Sequence, residues 1–272
     1  MLKSLRAPPV AWVRMDESRA ARAATVPARR GRPWLVPGGL LLFLALLTLN
    51  VLADGPLVGV DQRIRQAVQA QANSATWHWV GGAAHTPARL LVQLGNNQVA
   101  IPILLLCALI AAAGHRSVRP LVAAVIGIAL LLATVIPAKI LIARAGPGLP
   151  AVAPGAMGVF PSGHTTTSGV CFGLGVLLLA PGLPSRARRA AVAVMAALCF
   201  LVGGALIWCD DHWFTDVVAG WALAALIVMA ALWITGLGGN SRSQRSAVAR
   251  WASGRRNQAN THERAARSKP DD

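Results

Sequence analysis

Long apolar stretches separated by short polar segments cover most of this chain. Most of them approach the roughly 20 residues that a tilted helix needs to cross the hydrocarbon core of a bilayer. The second and fourth are short, and each can be extended by borrowing flanking residues. The pattern predicts an all-α, polytopic membrane protein with a six-transmembrane-helix bundle in one domain, residues 34–237. The six stretches run from Trp34 to Ala53, Val99 to Ala113, Pro120 to Ala138, Thr165 to Ala180, Ala190 to Cys209 and Asp216 to Leu237.

Composition favours membrane lipids over nucleic acid as the surroundings of this chain. Of 272 residues, 55% are hydrophobic and 13% are charged, while the formal net charge is +16. In a soluble chain that charge would suggest nucleic-acid binding, but the basic residues here lie mostly beside apolar stretches, where membrane topology explains them. The sequence leaves the oligomeric state open.

The distribution of arginine predicts the orientation of the bundle. With six spans, the arginines of the N-terminal segment, of two short loops and of the C-terminal segment all fall on one side. The positive-inside rule then places both termini in the cytoplasm. Residues 1–33 and 238–272 lack apolar periodicity and are predicted to be basic, disordered cytoplasmic tails. The other loops face outward, to the outside or periplasm, from a cell membrane.

The first apolar stretch has a second interpretation as a secretory signal. Val51-Leu52-Ala53 resembles a small-residue cleavage site, and Arg29-Arg30 resembles a twin-arginine region. Some thirty residues precede the stretch and it is long enough to span, so an uncleaved anchor is favoured.

The segment between the first two stretches predicts a short amphipathic helix at the outer interface. Its polar and apolar positions include Asp61, Ile64 and Val68, and the pair Trp77 and Trp79 suits the membrane boundary. His78 and His85 in the same segment lack partners typical of a site and are interpreted as surface histidines.

Two short motifs carry the candidate chemistry. Residues 160–165 read Phe-Pro-Ser-Gly-His-Thr and precede an apolar stretch, so they put a hydroxyl and an imidazole at a helix N-terminus, where anions bind. His212 and Asp216 begin another apolar stretch one helical turn apart, on one face. Two histidines, a helix N-terminus and an orienting carboxylate indicate phosphoryl transfer.

The order of these motifs resembles the three-part signature of the type 2 phosphatidic acid phosphatase (PAP2) superfamily. The signature is carried by Lys139 with Gly146-Pro147, by residues 161–164, and by His212 with Asp216. The resemblance covers roughly residues 54–236. It implies a membrane bundle that dephosphorylates lipid phosphates or diphosphates at the outer face through a phosphohistidine intermediate, without a metal or other cofactor.

The resemblance also implies a role for each candidate residue. His212 is the nucleophile, and Asp216 holds its tautomer and steadies its developing charge. His164 is the general acid for the leaving oxygen and then the base that activates water, because in-line displacement needs attack and departure on opposite sides of phosphorus. The equatorial oxygens are bound by Ser162, the Gly163 N–H and Lys139.

Two departures weaken the expected phosphate cradle. The family carries arginine at the positions of Gly146 and Leu206, so two guanidinium groups are missing. Arg144, two residues before the first vacancy, is predicted to replace one of them. Asp210 and Asp211 would repel phosphate unless they point away, pair with Arg144 or Lys139, or hold a cation, and the last option leaves a metal-assisted variant open.

Several alternatives remain beside the phosphatase. Singly, Ser162 suits a helix cap, Lys139 a snorkelling residue and Asp216 an ordinary first-turn carboxylate. The main rival function is a catalytically weak descendant that binds lipid phosphates or supports a membrane complex, and the two missing arginines favour it. A transporter is weaker, since no span is visibly broken. Phosphatidic acid, polyprenyl diphosphate and a polyprenyl phosphate-sugar are all admissible substrates.

Overall fold

The computed structural model describes residues 34–72 and 81–238, with the side chains of residues 72 and 81–86 left out. The predicted tails at 1–33 and 239–272, with His78, Trp77 and Trp79, lie outside the described residues, as does the side chain of His85. The described part holds eight α-helices and no strand. They are α1 Leu35–Leu52, α2 Pro56–Ala72, α3 Gly81–Leu94, α4 Asn97–His115, α5 Arg119–Ile142, α6 Gly163–Leu179, α7 Ser185–Trp208 and α8 Phe214–Ile234.

The six predicted spans are confirmed. Helices α1, α4, α5, α6, α7 and α8 are each long and apolar enough to cross a membrane, α6 with the 3-10 turn that continues it to Gly182. The short second and fourth stretches do borrow flanking residues, Asn97 and Gly163 being their first helical residues. Helix α5 runs four residues past the predicted Ala138, so Lys139 lies in its last turn.

The chain divides into two compact units, residues 1–38 and 39–272. Of the first unit, the structure describes residues 34–38, which begin α1. Within the second unit, α6 is central and packs against α3, α4, α5, α7 and α8. Small residues permit this closeness, because a Cβ added to Gly169 of α6 would lie 2.6 Å from the Cβ of Ala224 in α8. Most apolar side chains of α1 are exposed, as lipid-facing ones are.

A helix, α2, is present where the amphipathic helix is predicted, and α3 follows it; the position of α2 at the outer interface stays a prediction. Helix α2 packs on α7 and α8, whereas α3 packs on α4, α6 and α7. Part of the polar face of α2 is buried, since Asp61 is only 1% exposed. We call the end of the bundle where α6 and α8 begin the motif end; α5 and α7 finish there, and α2 and α3 lie over it.

Candidate active site

A cavity of about 450 Å³ opens at the motif end and brings four predicted residues together. Lys139, Gly163, His164 and His212 all line it, although they come from three separate parts of the chain. Two asparagines of the α3–α4 turn, Asn96 and Asn97, form part of its polar edge. The remaining wall is mainly apolar and comes from α5 and the loop after it, through Leu131, Leu132, Val135, Ile136, Met157 and Val159.

His164 is held by the first turn of α6. The hydroxyl oxygen of Ser162 accepts the N–H of Thr165 at 3.3 Å and its hydroxyl at 2.9 Å, which makes Ser162 the N-cap. Ser162 is fully buried and does not line the cavity, whereas Gly163 and His164 do. The first N–H groups of a helix have no intrahelical acceptor; because Ser162 accepts that of Thr165, those of Gly163 and His164 are the ones left for an anion.

The turn before α4 closes over His164 because Gly95 has no side chain. A Cβ at Gly95 would lie 2.8 Å from the carbonyl oxygen of His164 and 2.9 Å from its Cβ. The neighbouring Asn97 is fixed in the same place, since its Oδ1 accepts the hydroxyl of Thr167 at 2.7 Å. Sequence reasoning did not identify Asn96, Asn97 or Thr167 as cavity residues, because asparagines at the start of a helix are ordinary capping residues.

His212 and Asp216 form the imidazole–carboxylate pair that their spacing predicts. Nδ1 of His212 lies 3.3 Å from Oδ2 of Asp216, which also accepts the N–H of Trp213 at 3.1 Å. With Nδ1 turned to the carboxylate, Nε2 is the ring nitrogen left to act as a nucleophile. The N–H of Ser162 donates to the carbonyl of Asp216 at 3.0 Å, so the starts of α6 and α8 are tied directly.

Lys139 reaches the cavity from the last turn of α5. Its Nζ donates to the carbonyl of Gly158 at 3.0 Å and of Val159 at 3.4 Å, which fixes the loop that leads to α6. An ammonium group has three donors, so these two contacts leave one for a ligand. Lys139 is the one lysine or arginine among the described residues that line this cavity.

Arg144 binds carboxylates and does not line the cavity. Its guanidinium pairs with Asp216, pairs with Asp61 at 2.6 Å and donates to the hydroxyl of Thr215 at 2.7 Å. The side chain is 10% exposed. Replacement of a missing cradle arginine by Arg144 stays a prediction, but the observed partners make it a group that holds Asp216.

Asp61 completes this network and was missed by sequence reasoning. Its Oδ1 accepts the N–H of Thr215 at 2.9 Å, and its Oδ2 accepts the hydroxyl of Thr215 at 2.5 Å. The carboxylate therefore caps α8 from α2, while it shares Arg144 with Asp216. On the sequence, Asp61 fits the polar face of an amphipathic helix, and a single acidic residue gives no sign of a partner 154 positions away.

Trp213 lies against both neighbouring guanidinium groups. The Cζ atoms of Arg144 and Arg65 lie 5.4 Å and 5.8 Å from its ring centroid, within cation–π range. Its indole N–H donates to the carbonyl of Ala145 at 2.8 Å. The residue after His212 thus packs the α5–α6 loop against the start of α8.

Asp210 and Asp211 have partners that the sequence did not suggest. Of the alternatives left open, pairing with Arg144 or Lys139 is not the one observed, because Arg65 of α2 binds Asp210 in bidentate fashion, at 2.7 Å and 2.8 Å. Arg89 of α3 binds both oxygens of Asp211, at 2.9 Å and 3.1 Å. The hydrogen bond that Arg65 donates to Asp210 raises the pKa of Arg65. Within residues 34–72 and 81–238, no group of three or more His, Cys, Asp or Glu side chains is arranged to hold a metal ion.

Apolar packing fills the positions of the two missing arginines. Leu206 is 1% exposed and belongs to a buried cluster with Val92, Val202 and Val217. A Cβ on Gly146 would meet Leu149 at 3.0 Å and Val159 at 3.3 Å. Neither position therefore offers space for a guanidinium without repacking.

Comparison with known proteins agrees with this architecture. The model of the PAP2 superfamily matches residues 120–237, which contain every motif residue of the cavity. The crystal structure of the first transmembrane PAP2 type phosphatidylglycerolphosphate phosphatase from Bacillus subtilis is similar, with a TM-score of 0.62 and 19% sequence identity over 76% of this chain and 98% of that chain. At that identity the similarity indicates a shared fold. No curated protein matches the chain.

Proposed function

Since the model of the PAP2 superfamily matches residues 120–237 of this chain, we propose that it is a PAP2-type membrane phosphatase that hydrolyses a lipid phosphate or diphosphate through a phosphohistidine intermediate. One observation carries the proposal. The imidazoles of His164 and His212 line one cavity with Lys139, and Asp216 orients the second imidazole from behind. Phosphoryl transfer needs these parts together: a nucleophile, a proton donor and a fixed cation.

His212 is the nucleophile in this mechanism. Its Nε2 attacks phosphorus while Nδ1 keeps its proton toward Asp216, so the positive charge that develops on the ring faces a carboxylate. Asp216 is held in turn by Arg144 and by the N–H of Trp213. The phosphohistidine is then hydrolysed by water.

His164 serves the leaving group. It donates a proton to the lipid oxygen as the P–O bond breaks and then takes a proton from the attacking water. Its place in the first turn of α6 puts the imidazole beside the helix N–H groups that would bind the phosphoryl oxygens.

Lys139 and the N–H groups of Gly163 and His164 bind the phosphate. Ser162, the other candidate for this role, supports the turn as its N-cap. The apolar wall from α5, which includes Leu131 and Val135, would lie along the first carbons of a lipid chain. The substrate thus enters with its phosphate at the motif end and its chain among the helices.

Phosphate release by the detergent-purified protein tests the proposal. The panel contains phosphatidic acid, a polyprenyl diphosphate and a polyprenyl monophosphate, with chelator present or absent. We expect release from at least one substrate, and His212→Ala should abolish it. Release that needs an added metal ion would favour the metal-assisted variant, and release that survives His212→Ala would exclude His212 as the nucleophile.

A second candidate function is a lipid-phosphate-binding protein without significant turnover. The apolar packing at Gly146 and Leu206 favours it, because each missing guanidinium removes transition-state stabilisation. Folded protein that binds a lipid phosphate, loses that binding in Lys139→Ala and releases no phosphate would support this candidate over the enzyme.

A further inference from the structure

The described charges of the motif end pair off almost completely. Asp210 is matched by Arg65 and Asp211 by Arg89, each through two hydrogen-bond contacts. The exposed Asp54 and Arg63, which do not line the cavity, add one charge of each sign. The net charge of these six groups together is zero, so they offer no surplus positive charge to a phosphate.

The groups nearest the nucleophile have only a small net charge. Arg144 is shared by Asp61 and Asp216, so this buried trio has a net charge of −1. Lys139 at the cavity restores neutrality. During the reaction His212 must be neutral to attack, while His164 must be protonated to donate. The protein groups around the phosphate then sum to one positive charge.

The charge of a phosphate depends on the number of its ester bonds. A phosphomonoester has a second ionisation near pH 6 and is largely a dianion at neutral pH, whereas a phosphodiester keeps a single negative charge. A charge taken out of water without a partner is strongly unfavourable. The two missing guanidinium groups would have accommodated the second charge.

We infer that this site acts preferentially on a phosphate group with one negative charge, and that its substrate class is the lipid phosphodiester. The inference rests on the proposed function for the nucleophile and the cavity, and it differs from that function in one respect: the phosphorus of the preferred substrate carries two ester bonds instead of one. The apolar packing at positions 146 and 206 agrees with it, because neither position supplies a guanidinium for a second negative charge.

The reaction on a phosphodiester balances with the same residues. Nε2 of His212 attacks phosphorus, the P–N bond forms and the P–O bond to the lipid alcohol breaks. His164 gives its proton to the departing oxygen. Water then attacks the ester-bearing phosphohistidine and passes a proton to His164, and the P–N bond breaks to release a water-soluble phosphomonoester.

A matched pair of lipids tests the inference on the wild-type protein. Phosphatidic acid and phosphatidylmethanol with identical acyl chains differ by one methyl group and one charge, and both release diacylglycerol. We measure kcat/KM for diacylglycerol release in the same micelles from about pH 5.5 to about pH 8. The ratio of the two values at each pH cancels the ionisation of the enzyme and isolates that of the substrate.

At about pH 8 we expect phosphatidylmethanol to have a kcat/KM at least about tenfold higher. The ratio should fall toward one as acid converts phosphatidic acid to its monoanion. Equal or faster turnover of phosphatidic acid at about pH 8 would overturn the inference and leave the phosphatase intact. No turnover of either lipid that depends on His212 would also overturn the inference, and the proposed function would fall with it only if the polyprenyl substrates released no phosphate either.

Asp61→Asn provides a second test. The amide preserves the shape of the carboxylate but removes one negative charge from the trio, so the kcat/KM ratio should shift several-fold toward phosphatidic acid. Asp54→Asn removes an exposed carboxylate at the same end and should leave the ratio unchanged. An equal shift in both variants, or a shift in neither, would contradict the charge argument.

Discussion

Arg144 connects the carboxylate that orients the nucleophile to a carboxylate from another helix. Its planar fork has donors in two directions, so one guanidinium contacts Asp216, Asp61 and the Thr215 hydroxyl together. A lysine ammonium is a single point and cannot span this set. At the residue scale the geometry therefore depends on arginine, not merely on positive charge.

Arg144→Lys separates positioning of Asp216 from phosphate binding. Because Arg144 does not line the cavity, we expect kcat to fall about 10- to 100-fold while KM changes little. Steady-state kinetics on the preferred lipid gives both constants. A raised KM with an unchanged kcat would instead put the guanidinium on the phosphate. Arg65→Lys is the matched control, since that pair is 36% and 27% exposed and lies outside the trio.

Ser162 poses a similar choice between a helix cap and a phosphate ligand. Alanine at an N-cap costs about 1 kcal/mol of stability, whereas glycine costs only a few tenths. As a cap, Ser162→Ala should lower the thermal unfolding temperature more than Ser162→Gly does. Both variants lack the hydroxyl, so a large and equal loss of kcat in both, with both folded, would assign Ser162 to the phosphate.

At the scale of elements, α2 and α3 act as braces for the segment that carries the nucleophile. Each contributes one arginine to one of the consecutive residues Asp210 and Asp211. These pairs are partly exposed, so their direct contribution to stability is small. Their larger effect is to neutralise two carboxylates close to His212.

Arg89→Gln tests this neutralisation. It leaves Asp211 unpaired, and the carboxylate should then repel the substrate phosphate. We expect KM to rise several-fold at low ionic strength and to approach the wild-type value in high salt, because exposed charges are screened. Adding Asp211→Asn should restore KM at low salt. A KM that is insensitive to both changes would show that the charge of Asp211 does not affect binding of the substrate phosphate.

Sequence reasoning correctly predicted the helices that are long apolar runs, because burial in lipid requires such runs. Each span is a long apolar run, so its existence can be read locally, and the spacing of His212 and Asp216 is fixed by helical geometry. The contacts of α2 and α3 could not be read this way. Arg65 pairs with a residue 145 positions later, and nothing in the apolar pattern of α2 selects that partner.

At the scale of the whole molecule, the described charges are divided between the two ends of the bundle. All five described carboxylates lie at the motif end: Asp54, Asp61, Asp210, Asp211 and Asp216. The other end carries only positive charge among the described residues, through Arg116, Arg119, Arg186, Arg188 and Arg189. This division is the pattern from which the positive-inside rule predicts a cytoplasmic arginine end and an outward motif end.

Cysteine labelling in intact cells tests that orientation. Ala151 in the α5–α6 loop and Ala187 near the start of α7 are both exposed and lie at opposite ends. We expect a membrane-impermeant maleimide to label Ala151→Cys in intact cells and Ala187→Cys only after permeabilisation. The wild type gives the background from its own four cysteines, of which Cys171 and Cys199 are buried.

The reverse pattern would put the motif end in the cytoplasm and change which lipids reach the cavity. The chemistry of His212 and His164 would be unaffected, because it depends on contacts within one end of the bundle. The substrate phosphate, however, would have to come from the inner leaflet. Labelling therefore decides which leaflet supplies the substrate, a question that kinetics in detergent cannot address.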